Sequence, residues 1–164
     1  MALPSRAITR TVPTWTCKHH SDLATTELYA LLRLRSEVFV VEQQCVFLDL
    51  DGEDLGQDTW HLMAWDETGR LLAGARLLDP DSHDGQAIIG RVVTAPDARG
   101  QGLGHELMRQ ALKEVRRLWP QAPVYLGAQQ RLQAFYAGHG FDPVTDPYME
   151  DGIPHIGMRL SAAR

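Results

Sequence analysis

The stretch Arg99-Gly100-Gln101-Gly102-Leu103-Gly104-His105 sets three glycines at alternate positions, where a strand-like run gives way to a helical pattern. Backbone N–H groups at a helix N-terminus have no intrahelical partner and carry partial positive charge, so such a turn draws an anion. Glycine lets that backbone approach closely and adopt positive φ at little cost, and Arg99 supplies a cation beside it. Spacing excludes two nucleotide loops. A P-loop ends in Gly-Lys-Ser/Thr, whereas Gly104 is followed by His105 and Glu106. A dinucleotide fingerprint needs G-x-G-x-x-G, whereas these glycines fall at every second position. The competing reading is a connection that only packs a helix close to a sheet. The flanking arginine and the strand–turn–helix context favour an anion site.

The elements that must hold this turn are legible in the periodicity. AIIGRVVT (87–94) reads as a strand. Leu103, Leu107, Met108, Ala111, Leu112, Val115 and Leu118 recur at steps of three and four, the sheet-facing stripe of a helix that stops at Pro120. Upstream, residues 12–18 predict a first strand and Ser21 to about Val41 a helix. TWHLMAWD, DETGR and RLLAGARLLDP then read as strand, tight turn and strand, a hairpin. Downstream come a short buried strand (APVYLGA), a short helix (QQRLQAFYAGH) and two closing strands at about 141–148 and 154–161. Strands flanking the two later helices predict an α/β fold, a mixed central sheet flanked by helices, in a single domain over 1–164.

Composition narrows the function classes. The formal net charge of −5 argues against a nucleic-acid binder, which needs a basic face. No apolar run approaches the roughly 20 residues of a membrane span, and the first residues lack the apolar core of a secretory signal. Two cysteines without CxxC spacing, Cys17 and Cys45, point to a reducing cytoplasm rather than a disulfide framework. DLDGED (49–54) is rich in acids but lacks the EF-hand spacing and its closing Glu. Cys17-Lys18-His19-His20 lacks a second ligand pair for zinc, so no metal is expected.

Three segments together resemble the GNAT N-acetyltransferases. Arg99 to Gly104 is similar to that family's R/Q-x-x-G-x-G/A motif, Val92-Val93-Thr94 followed by Pro96 resembles the strand before it, and Phe135-Tyr136-Ala137-Gly138-His139-Gly140-Phe141 resembles its FYxxxGF segment. These cover about 88–141 in the family's order. Arg35–Gln43 (RSEVFVVEQ), DLDGED, His61 and DGIPHIGMRL resemble the ElaA-like branch. The resemblance implies the GNAT fold with acetyl-CoA as cofactor. The backbone of Val92, Val93 and Thr94 would pair with the pantetheine arm. Gly100, Gln101, Gly102, Leu103, Gly104 and His105 would cradle the pyrophosphate, helped by Arg99. Where the family often has an asparagine contacting the cofactor, this chain has Gln129 and Gln130. Tyr136 matches the family's general acid.

Acetyl transfer to an amine also asks for a proton acceptor. The strand before Tyr136 carries no acid, which leaves Glu42, His155, His61 or an ordered water, with Glu42 and His155 ahead. Each has a structural reading too: a surface carboxylate, a loop histidine, a satisfied strand histidine. Direct attack in a ternary complex needs no nucleophile, so the cysteines read as packing or surface residues. The expected partner is a small-molecule or peptide amine, and the sequence leaves room for a homodimer. Two other functions compete: a CoA-binding sensor or interaction module without turnover, and an acyl-homoserine-lactone synthase-like transferase. The second takes its acyl group from a carrier protein, which would leave the pyrophosphate turn unexplained.

Overall fold

The computed structural model describes residues 12–161; the secretory-signal reading of the first residues falls mostly outside them. β1 (Thr14–His19) leads through a short 3-10 turn into α1 (Thr25–Arg35), which runs on into a π-helical turn over Ser36–Glu42. The hairpin arms are β2 (Trp60–Trp65) and β3 (Leu71–Leu78), followed by β4 (Ala87–Thr94) and α2 (Leu103–Leu118). β5 (Val124–Gln129) and α3 (Gln133–Ala137) come next, and β6 (Asp142–Pro143), β7 (Tyr148–Glu150) and β8 (Ile153–Leu160) close the chain.

The eight strands form one mixed sheet in the order β1-β2-β3-β4-β5-β8-β6, with β7 pairing β8. Neighbours are antiparallel except β4 and β5, which are parallel. The expected stripe of α2 buries Leu107, Met108, Ala111, Leu112 and Val115 against one face of the sheet, on Leu62, Ala75, Leu77, Ile89 and Leu126. On the other face Leu31, Leu34 and Val38 cover Met63, Leu71 and Val93. Gly74 makes that second contact close. A Cβ there would stand 2.8 Å from Leu31 Cδ2.

Two expectations need correcting. The helix predicted from Ser21 to Val41 is α-helical only over Thr25–Arg35, and beyond it Gln43 N–H reaches Val38 O (3.2 Å) and Cys45 N–H reaches Val40 O (3.1 Å). The run Val38-Phe39-Val40-Val41 explains this, because β-branched and aromatic side chains lose rotamer freedom against the preceding helical turn. The wider turn keeps Val38 buried while Phe39, Glu42 and Gln43 line the cleft described below. The strand predicted at about 141–148 is two short pieces, β6 and β7, and Pro147, which has no N–H to give to a ladder, stands in the interval between them. Among the described residues no helix is long and apolar enough to cross a membrane.

Candidate active site

β4 and β5 are paired only at Ala87↔Val124 and Ile88↔Tyr125, and beyond those residues the strands part. A β-bulge in β4 accompanies the divergence. Gly90 faces Arg76 and Val93 faces Gly74, so Arg91 and Val92 lie together opposite Ala75. Arg91 takes φ +49° there, a conformation that persists in a non-glycine residue only when its surroundings enforce it.

The DLDGED loop does the enforcing. Arg91 Nη2 donates to Asp49 O (3.0 Å) and Asp51 Oδ2 (3.2 Å), and its Nε stands 2.8 Å from Asp49 Oδ1, off the hydrogen-bonding direction. Arg35, only 2% exposed, donates to Asp49 Oδ2 (2.9 Å) and to both carboxylate oxygens of Asp54 (2.6 and 3.1 Å). Arg76, also buried, forks onto Asp51 with two bonds of 2.8 Å and reaches Asp54 Oδ1 at 3.0 Å. Burial alone would push the Asp51 and Asp54 carboxyls up. Bonds and charges from Arg76 and Arg91 on Asp51, and from Arg35 and Arg76 on Asp54, more than reverse this and hold both below the ordinary range. These acids are fully occupied by arginines.

The divergence opens a cleft of about 880 Å³. Val92, Val93, Thr94, Arg99, Gln129, Glu42, Tyr136 and His155 all line it, so eight of the residues singled out in the sequence meet in one place. The edge of β4 that faces β5 is free of strand partners across Val92–Thr94. Next to it, α2 begins at Leu103 after Gly102, and Glu106 N–H to Gly102 O is its first turn-closing bond. The N–H groups of Leu103, Gly104 and His105 are therefore free of intrahelical partners. Gly100 and Gly102 hold φ +82° and +80°, and a Cβ on either would project into open space. The turn is an exposed cradle of donors, suited in shape and charge to a phosphate group.

The side chains around this cradle have defined partners. Arg99 turns from the cradle to the cleft: Nη1 donates to Glu42 Oε1 (2.8 Å) and Nη2 to Thr94 O (3.3 Å). Tyr136 is buried, its hydroxyl makes no hydrogen bond among the described residues, and burial pushes the phenol up to about 12. His155 Nδ1 lies 2.7 Å from Ile153 O, an acceptor, so Nδ1 carries a proton. Glu150 stands 3.5 Å from His155 Nε2, and the ring stacks on Tyr148 at 6.0 Å. His105 Nδ1 lies 3.0 Å from His139 Nε2, and both rings pack on Phe135. Burial, then the charges of His105 and Arg109, lowers the pKa of His139.

His61 lies elsewhere. It is 1% exposed, shares a hydrogen bond with Asp54 O (2.9 Å), and does not line the cleft. Burial lowers its pKa, partly offset by Asp54. Cys17 is also away from the cleft, and burial, then Glu114, pushes its thiol up to about 12.

The parted β4–β5 pair, the exposed cradle of helix N–H donors at its end and the tyrosine buried beside it all lie within the segments that carry the resemblance. The sequence profile of the acetyltransferase (GNAT) domain matches residues 42–162. This chain belongs to the GNAT acetyltransferase family. Protein ElaA of Escherichia coli (strain K12) is 49% identical over 144 residues, spanning 88% of this chain and 94% of that protein. The crystal structure of an acyl-CoA N-acyltransferase from Pseudomonas aeruginosa superposes with a TM-score of 0.88 at 61% identity, covering 91% of this chain and 99% of that one. Escherichia coli ElaA superposes with a TM-score of 0.86 at 47% identity, over the same shares.

Within this GNAT fold, sequence reasoning missed the three-arginine lock and the cleft tyrosines Tyr125 and Tyr148. Arg76 was the available signal for the lock, a lone charge inside the apolar run LLAGARLL, where a charge must find a buried partner.

Proposed function

We propose that this protein is an N-acetyltransferase that moves the acetyl group of acetyl-CoA to a primary amine by direct attack within a ternary complex. The observation that carries the reading is the meeting of Tyr136 and His155 on the cleft where β4 and β5 part. The free edge of Val92–Thr94 accepts the pantetheine amides, Gly100–His105 hold the pyrophosphate, and Gln129 stands where the family often has an asparagine. Arg99 adds positive charge beside the cradle and fixes Thr94 through its carbonyl.

Acetyl-CoA supplies an acyl group activated as a thioester. His155 Nε2 takes a proton from the incoming ammonium, while the Nδ1–H bond to Ile153 O holds the tautomer that leaves Nε2 able to accept. As the amine nitrogen bonds to the carbonyl carbon and the carbon–sulfur bond breaks, Tyr136 gives its phenolic proton to the departing sulfur. The second proton that the nitrogen loses in becoming an amide returns to the phenolate. A phenol pushed up to about 12 stays protonated at neutral pH, as an acid in this role must. Glu42 is engaged by Arg99 and serves in this scheme to position it.

The test is release of free thiol from acetyl-CoA in the presence of a panel of small amines and peptides. Amine-dependent thiol release supports the reading. Binding of acetyl-CoA without release on any acceptor would assign the protein instead to CoA sensing.

A further inference from the structure

The cleft is bridged from lip to lip. Gln129 Nε2 donates to Gln43 Oε1 at 3.2 Å, and the Cys45 thiol donates to Asp151 O at 3.3 Å. All four residues line the cleft. Gln43 and Cys45 follow the π-helical turn, Gln129 ends β5, and Asp151 lies in the β7–β8 turn. The two bonds thus join the helical side of the opening to the strand side.

Both ends are built to meet. Arg131 Nε donates to Gln129 Oε1 at 3.1 Å, which orients the amide so that its NH2 points to Gln43. Gln129 is the register partner of His155 across β5 and β8, so the bridge springs from the strand position beside the proposed base. On the other lip, Gln44 holds φ +49° between two residues whose N–H groups are tied back to Val38 and Val40. Cys45 is only 8% exposed while its neighbour Val46 is fully exposed, so the thiol sits in the joint and not at the solvent.

We propose that these bridges form a strap over the acceptor half of the cleft, making Gln43 and Cys45 specificity determinants that admit slender primary amines and refuse branched or bulky ones. This rests on the reading of the cleft as an acyl-transfer site. A slender amine passes beneath the strap, whereas a bulky one must break one or both bridges to reach the thioester. Breaking a single neutral bridge costs about a two- to tenfold factor in kcat/KM.

The test measures kcat/KM for unbranched, α-branched and aromatic primary amines with the wild type, Gln43→Ala, Cys45→Ala and Cys45→Ser. The bulky-to-slender ratio should rise about two- to tenfold in each alanine variant and return toward the wild type in Cys45→Ser, which restores a donor. A ratio unchanged within twofold in both alanine variants would overturn the strap. A second reading needs no turnover. In a Cys17→Ala background, Gln43→Ala should accelerate alkylation of Cys45 several-fold, and an unchanged rate would also overturn it. If the wild type transfers to no amine, the acyl-transfer reading fails while the alkylation rate still decides whether the strap exists.

Discussion

Arg99 and Glu42 are ion-paired at 2.8 Å across the mouth of the cleft, joining the turn before α2 to the end of the π-helical turn. The pair engages the carboxylate that sequence reasoning set beside His155 as a proton acceptor, and it draws Arg99 toward Thr94. Glu42→Gln removes a negative charge near an anionic cofactor and frees the guanidinium. Its main effect should be a fall in acetyl-CoA KM of about two- to fivefold, the scale of a half-exposed ion pair, with amine KM unchanged. A rise in amine KM with acetyl-CoA KM constant would instead make Glu42 an acceptor-binding residue.

Tyr136→Phe removes one hydroxyl that makes no hydrogen bond among the described residues and leaves the buried ring in place. We expect kcat to fall about 100-fold, the lower range for a general acid, with acetyl-CoA affinity kept within twofold. Because the phenol is pushed up to about 12, any alkaline decline in wild-type rate below pH 10 should persist unchanged in the variant. Equal kcat, with chemistry shown to be rate-limiting, would remove Tyr136 from the proton path.

The core and the cradle were readable in sequence because each obeys a local rule. The stripe from Leu107 to Val115 repeats at helical spacing, and Gly100 and Gly102 mark the positive-φ turn before α2. The lock was not readable, because Arg35, Arg76 and Arg91 lie on three different elements and meet the 49–54 loop only after the sheet forms. Charges in an acidic loop look solvated until the fold supplies their partners. The π-helical widening escaped for a related reason: an apolar stripe over Leu31–Phe39 fits either helical pitch, and packing of Val38 decides between them.

Gly102→Asp tests the cradle. The residue holds φ +80° at the N-cap of α2, and open space lies where a Cβ would stand, so the substitution adds backbone strain and a negative charge without a steric clash. Wild-type protein should gain thermal stability on adding CoA, because the ligand binds the folded turn and not the unfolded chain. In the variant that gain should vanish. An undiminished shift would place the cofactor elsewhere.

Arg35 anchors the lock through Asp49 and Asp54, all three nearly inaccessible to solvent. Arg35→Met leaves two carboxylates with fewer partners in the interior, and removing one member of such a set costs about 3–5 kcal/mol. Urea unfolding should show a midpoint shifted by that loss. The strand divergence should also suffer, since Asp49 ties Arg35 to Arg91 in the β4 bulge, so CoA-induced stabilisation should fall as well. A variant as stable as the wild type would mean that the lock is dispensable to the fold.

The direction of acid destabilisation follows from the buried histidine and the locked carboxylates. His61 has its pKa lowered by burial, so the folded state binds fewer protons than the unfolded chain below the unfolded value of about 6.5. Its contribution to stability is complete above that pH and is lost as pH falls. His139, also lowered by burial, acts in the same direction. Asp51 and Asp54 are held below the ordinary range, so their contribution is complete above about 3.9 and is lost only at more acid pH. Melting temperature should therefore decline in two stages, a shallow one beginning near pH 6.5 and a steep one below about pH 4. His61→Gln keeps an amide donor toward Asp54 O but cannot titrate. It should flatten most of the first stage, leave the share owed to His139, and preserve the second. If the slope between pH 7 and 5 is the same in His61→Gln as in the wild type, burial of His61 does not set the acid response.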